Sequence, residues 1–294
     1  MIKWRYLKQA ESYWIVEDDE GYGNALCLKT SWTNQYLDLI AKHRIKIIRL
    51  NDRIGWVDSD ISFLLRVPGI CGVDIISERV TDISPVFELK GLKTLSLYCK
   101  ANVAGDFREL RNLESLSLDW RNVYRSAFEL NGLRRLNVLH YPDADLSNLN
   151  RNVHLRTLKL SSNRLESLSG IERFPKIKQL DLFRCRRLTS LKAIKSVRLI
   201  RTLTIDQCPG VGDLSPLSCL GGLRTLEIEN CREIRSLKPL LKCKELRRLQ
   251  IAGNTTVLDG NLGPLAKLPH LKEVLLAKRK HYSHSDEELS RSTS

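Results

Sequence analysis

Apolar residues recur along this chain in a fixed phrase, L-x-x-L-x-L, with Ile or Val allowed for Leu. Copies start at Ile45, Ile70, Leu92, Leu113, Leu133, Leu155, Ile177, Ile200, Leu223, Leu246 and Leu271, at intervals of 20 to 25 residues. That interval is far longer than a helical or strand period, so the repeating unit is a supersecondary one. Alternation inside each copy predicts a short strand whose leucines share one face. A single unit cannot bury that face alone, whereas stacked units bury it against their neighbours, which predicts a curved solenoid with one continuous core. With strands about 4.8 Å apart, eleven copies make a parallel sheet roughly 50 Å long.

Polar positions follow the same phrase. In Leu155-Arg-Thr-Leu158-Lys-Leu160-Ser-Ser-Asn163 and Leu246-Arg-Arg-Leu249-Gln-Ile251-Ala-Gly-Asn254 an asparagine closes the copy, and Cys185, Cys208 and Cys231 stand in its place in three others. These side chains are expected to point inward where the chain turns, and to hydrogen-bond the backbone of the next turn. Second halves are short, as in Leu165-x-x-Leu168-x-x-Ile171-x-x-Phe174.

Over residues 45–276 this pattern resembles the leucine-rich repeat family, in the 22–23-residue form seen in bacterial internalins and phosphatase-regulator repeats. Asp82-Ile-Ser-Pro-Val86 and Asp213-Leu-Ser-Pro-Leu217 are close to the internalin D-I-S-P-L motif. In that motif serine is expected to cap a short helical turn whose first position proline takes. The resemblance implies an α/β leucine-rich-repeat solenoid. It would be a right-handed superhelix with a parallel concave sheet, short helical or 3-10 turns on the convex side, and an N-terminal cap. It also implies a bacterial origin.

The flanks break the phrase. Ser12-Tyr-Trp-Ile-Val-Glu17 and Ala25-Leu-Cys-Leu-Lys29 read as a hairpin, and residues 34–44 as a helix introduced by Thr33. Residues 1–44 are therefore expected to form the cap, with Trp4, Trp14 and Trp32 covering the first repeat. Residues 277–294 read as a polar tail ending in disorder, and residues 51–68 and 119–131 as irregular insertions.

Composition narrows the class. The chain has 294 residues, 42% apolar and 28% charged, enough for a core and too evenly mixed for a disordered tail. No apolar run reaches a membrane span, and the N-terminus lacks a signal-peptide core, so a cytoplasmic protein without a membrane role is expected. The eight cysteines include no C-x-x-C pair or zinc spacing, which reads as reduced thiols and no metal.

The net charge of +14 points to an acidic protein or nucleic acid as partner, depending on where the excess lies. Strand alternation turns the third, fifth and seventh positions of each copy toward the concave surface, with the eighth at its border. Eight acids stand at these positions, including Asp119, Asp181, Asp206, Glu227 and Glu229, against six bases, including Arg49, Lys159, Arg184 and Arg248. The excess lies at the second position instead, as Lys46, Lys93, Arg134, Arg156, Lys178, Arg201, Arg224, Arg247 and Lys272. Arg164, Arg186, Arg187 and Arg232 fall on loops at the opposite edge. A stripe of this kind is either a solvated edge or a track for phosphates.

Aromatic residues accompany the acids. Tyr98, Trp120 and Phe183, with His140 and Tyr141 near the border, are expected to form a concave patch beside Asp119, Asp181, Arg184, Asp206, Glu227 and Glu229. Such a patch reads either as packing between neighbouring strands or as the anchor of a protein interface. Phosphate loops, H-E-x-x-H and G-x-S-x-G are all missing, and His281-Tyr-Ser-His284 reads as solvated side chains. No enzyme, cofactor, metal or small-molecule substrate is expected.

The leading expectation is a non-enzymatic scaffold that binds another protein on its concave face. By family analogy the partner is a toxin or effector blocked by an immunity-type inhibitor. The alternative is a nucleic-acid or anionic-surface binder acting through the basic edge.

Overall fold

Each repeat of the phrase becomes a strand because its leucines, two residues apart, can all face one core while the residues between them face away. The computed structural model describes residues 5–18, 21–285 and 288, in two units, Met1–Arg135 and Leu136–Ser294.

In the first unit β1 (Tyr6–Gln9), β2 (Tyr13–Glu17) and β3 (Asn24–Leu28) pair antiparallel. After α1 (Tyr36–His43), β4 (Ile45–Asn51), β5 (Gly72–Ser77), β6 (Thr94–Cys99) and β7 (Ser115–Asp119) continue from β3 as a parallel ladder. The predicted hairpin is thus β2–β3, with β1 as a further strand. The helix is shorter than expected, and Gln35 rather than Thr33 occupies its N-cap without a side-chain hydrogen bond. It ends at Arg44, whose left-handed conformation returns its N–H to Ala41 and Ile40. Trp32 stacks on Phe63 at 4.2 Å between ring centroids and Trp14 meets Tyr6 edge-on, whereas Trp4 lies outside the described residues.

The division between the units falls in β8 (Arg135–Leu139). In the second unit β9 (Thr157–Ser161), β10 (Gln179–Phe183), β11 (Thr202–Asp206), β12 (Thr225–Glu229), β14 (Arg248–Ala252) and β16 (Glu273–Leu276) pair parallel in that order. Two short strands, β13 (Glu233–Ile234) and β15 (Thr256–Val257), pair separately. Register is one to one, so Leu158, Leu180, Leu203, Leu226, Leu249 and Val274 form one buried row. Opposite the strands, 3-10 turns such as Lys192–Ser196, Ser215–Cys219 and Lys238–Lys242 bury Ile194, Leu217 and Leu240.

The D-x-S-P motifs do form such turns, but aspartate rather than serine caps them. Asp82 accepts from the N–H of Ser84, and Asp213 accepts from both the N–H and the hydroxyl of Ser215. A side chain two residues back reaches a free N–H that serine at the turn's own start cannot. The bond from the Ser215 N–H also holds the Asp213 carboxyl below the usual carboxylate range.

The inward row after each strand departs from expectation. Asn163 and Asn254 are exposed, and Ser162 and Thr255 are buried in their stead. Ser162 donates to the carbonyl of Tyr141 and accepts from the N–H groups of Arg164 and Leu165. Where the ninth position does turn inward, at Tyr141, Cys185, Cys208 and Cys231, the residue before it is left-handed: His140, Arg184, Gln207 and Asn230 have φ of 52° to 55°. One left-handed residue carries the chain outward for a step and delays the inward side chain by one position. The three thiols meet the carbonyls of Leu160, Leu182 and Ile205 in the preceding repeat. Burial pushes Cys231 up to about 11, and the neighbouring Cys185 together with burial pushes Cys208 up as well. None of the eight cysteines forms a disulfide.

The predicted polar tail is ordered at its start. Tyr282 accepts from the N–H of Val257, the N–H of Ser283 reaches Gly260 and the ring of His281 meets the carbonyl of Val257. Its first residues therefore cover the last turns, while residues 286, 287 and 289–294 lie outside the described ones. No described helix is long and apolar enough to cross a membrane.

Candidate functional site: the strand face

Residues between the leucines define the strand face, and the two units use it differently. On the first unit the face is filled at its start. Val16, Ala25, Cys27 and Ile47 form a buried cluster against which Trp14 and Tyr22 pack. Arg49 bridges Asp18 at 2.9 Å and Asp74 at 2.7 Å, with all three side chains mostly buried. Burial pushes the Cys27 thiol up to about 12 against the pull of Arg49. These groups answer one another within the first unit.

Further along the same unit, Tyr98 on β6 is half-buried, and burial raises its phenol above the usual range despite a hydrogen bond with Ser117. Asp119 closes β7 and is half-buried. Trp120 follows at the border, where its ring stacks on Phe128 at 4.5 Å between centroids. The Arg125 guanidinium lies 5.7 Å from the Trp120 ring centre. Phe128 belongs to the 3-10 segment Asn122–Glu129 that occupies the predicted irregular insertion. This half-buried tryptophan is thus packed within its own unit.

In the second unit the register sets two rows of side chains side by side. One row runs Lys159, Asp181, Thr204, Glu227, Gln250, and the other Ser161, Phe183, Asp206, Glu229, Ala252. Lys159 lies 3.1 Å from Asp181, which also accepts from Gln179 and is only 3% exposed. Asp181 therefore spends one oxygen internally, while its Oδ1 is buried without a hydrogen-bond partner. Glu227 faces Arg248 at 3.4 Å, and Arg248 pairs with Glu273 at 2.8 Å.

Asp206 and Glu229 differ from the rest. Adjacent in register, among the described residues their side chains are held by amides alone: Asp206 accepts from Asn230 and Gln207, and Glu229 from Gln250. Phe183, half-buried, sits beside Asp206 on the neighbouring strand. Two aligned carboxylates without a cation, next to an aromatic ring, make the most distinctive electrostatic feature of this face.

Of the other predicted residues, His140 and Arg184 are exposed at the border on their left-handed turns. Tyr141 does not join the aromatic patch: the left-handed His140 turns it inward, where it is 1% exposed and its hydroxyl donates to the carbonyl of Asp145. The pairing of Lys159 with Asp181 was readable, since both are fifth positions of consecutive repeats. Among the described residues no group of three or more His, Cys, Asp or Glu side chains is arranged to hold a metal.

The stacked L-x-x-L-x-L strands, their 3-10 turns and the inward ladder define a leucine-rich-repeat protein fold. The sequence agrees over residues 153–196, which match a family model described as leucine rich repeats in two copies. No curated protein matches the chain by sequence. Among solved structures, it is similar to an internalin (inlF) from Listeria monocytogenes, with a TM-score of 0.57 and 18% identity, covering 92% of this chain and 84% of that one. It is also similar to the functional domain of InlJ from Listeria monocytogenes, which includes a cysteine ladder (TM-score 0.51, 15% identity, 94% of this chain and 63% of that one). A third similarity is to the Drosophila Toll–Spatzle complex, at a TM-score of 0.52 and 12% identity over 94% of this chain and 41% of that one. The likeness in each case is one of fold.

Proposed function

We propose that this chain is a non-enzymatic scaffold that binds another protein on the strand face of its second unit. The observation that carries the reading is the aligned pair Asp206 and Glu229, held by amides and, among the described residues, without a cation, beside the half-buried Phe183. An aromatic anchor next to half-buried carboxylates suits a partner's arginine or lysine segment. Asp181 adds a buried oxygen that still lacks a donor. A parallel ladder of six strands presents these groups already ordered, which removes much of the ordering cost of association. A more specific form of the reading, an immunity-type inhibitor of a toxin, uses the same face and rests on the fold analogy.

The test is to immobilise the chain, identify the protein it retains from its source lysate, and measure that protein's affinity for Phe183→Ala and for Asp206→Asn with Glu229→Gln. Each variant is expected to lose about thirtyfold or more, the size of a hot spot. Full retention by both variants overturns the reading.

A further inference from the structure

The strand face of the second unit pairs most of its charges, but its starting edge does not. The second position of every repeat there is basic: Arg156, Lys178, Arg201, Arg224, Arg247 and Lys272. Each after Arg156 donates its backbone N–H to the carbonyl of the one before, at 2.7 to 2.8 Å, so the six stand in single file at the strand spacing. None of them forms an ion pair among the described residues, whereas Lys159 and Arg248 on the face both do.

Two of the guanidiniums are held in place. Arg156 donates to the carbonyl of Lys176 at 3.2 Å, and Arg201 to that of Gly222 at 2.7 Å. A Cβ at position 222 would overlap the Arg201 guanidinium, so the glycine leaves the space it fills. Two residues before each of these basic positions stand His154, Lys176, Leu199, Gly222, Glu245 and His270, with one acid among six. Neither row contains Trp, Tyr or Phe.

We infer that this edge binds the phosphate backbone of double-stranded nucleic acid without reading its sequence. Six cations at about 4.8 Å span roughly 24 Å, the rise of about seven base pairs at 3.4 Å each. The duplex is the polyanion of highest linear charge density in this range, with one charge per 1.7 Å of axis. A single strand is held largely by aromatic stacking, which this edge does not offer. Anionic lipid surfaces are held by apolar insertion together with charge, and Leu199 is the one large apolar side chain in these two rows. This inference stands apart from the strand-face reading, because the two use different residues.

The test measures binding of a fluorescently labelled DNA duplex of arbitrary sequence by anisotropy across a salt series. Up to six phosphate contacts give a slope of log K against log salt of about −5. Arg224→Glu with Arg247→Glu, both exposed and free of ion pairs among the described residues, should weaken binding at least about tenfold and flatten the slope by about two. The same charge change placed elsewhere on this unit, in Arg186→Glu with Lys192→Glu, should leave the slope unchanged, as should Phe183→Ala. The inference fails if the duplex does not bind at low salt, if both double variants lose binding equally, or if single strands or phosphatidylserine vesicles are bound in preference to the duplex.

Discussion

Replacing Leu203 by alanine removes a side chain that is fully buried on β11, in register between Leu180 and Leu226. Three methylene equivalents leave the core, at about 0.8 kcal/mol each, or roughly 2.4 kcal/mol. The rows on both sides are fixed by their own ladders and cannot close the gap, so a cavity term adds to this and the expected cost is about 3–5 kcal/mol. Val274 occupies the same row on β16 but has a partner strand on one side only and is 6% exposed. Its replacement by alanine removes less and leaves a site that can relax, at about 1–2 kcal/mol. Repeat arrays owe their stability to nearest-neighbour interfaces, and this difference is its direct consequence. Urea unfolding followed by circular dichroism reads both values as shifts in midpoint at unchanged slope. If Leu203→Ala costs no more than Val274→Ala, the assignment of one continuous inward row is wrong.

Other perturbations probe separate links. Ser162→Ala should cost about 1–3 kcal/mol by stranding the buried N–H of Leu165 and removing the partner of the Arg164 N–H. Asn163→Ala should be nearly neutral in the same unfolding experiment. Gly170 has φ of 95°, and a Cβ there would press on the backbone of Leu146. Gly170→Ala should therefore destabilise by more than about 1 kcal/mol, read as a lowered melting temperature. Burial pushes Cys27 and Cys243 up to about 12 and Cys231 up to about 11. Stability should thus be complete below the ordinary thiol value near 8.5 and fall as pH rises toward 11, by up to about 1.4 kcal/mol per pH unit for each thiol. A Cys231→Ala chain should show a shallower alkaline slope, and an unchanged slope would refute that origin.

The hydrophobic phrase made the core legible, because Leu158, Leu160 and their equivalents have one way to share a face along a stack. The inward ladder was less so. Its phase depends on a single left-handed residue at His140, Arg184, Gln207 or Asn230, and two of the four, Arg184 and Gln207, are not of the types that favour that conformation. The spacing gave a partial signal, since three of those four repeats run 23 residues and end in an inward cysteine. Serine looked like the cap of its turn because capping preferences do not distinguish it from an aspartate two residues earlier. On the strand face, alternation gave each residue its side but not its neighbours' demands. Asp181 and Arg49 belonged to the face by position, and the structure ties both into internal pairs. Tyr141 left the face altogether, whereas Phe183, Asp206 and Glu229 kept the positions expected of them.

The strand-face account rests on contact at Phe183. A photo-crosslinking benzoylphenylalanine placed at that position, with a second chain carrying it at the exposed Leu199 on the basic edge, would be irradiated with the retained partner protein. The account predicts a covalent adduct from position 183, mapping to an arginine- or lysine-rich segment of the partner, and none from position 199. Crosslinking from 199 with none from 183 would contradict it.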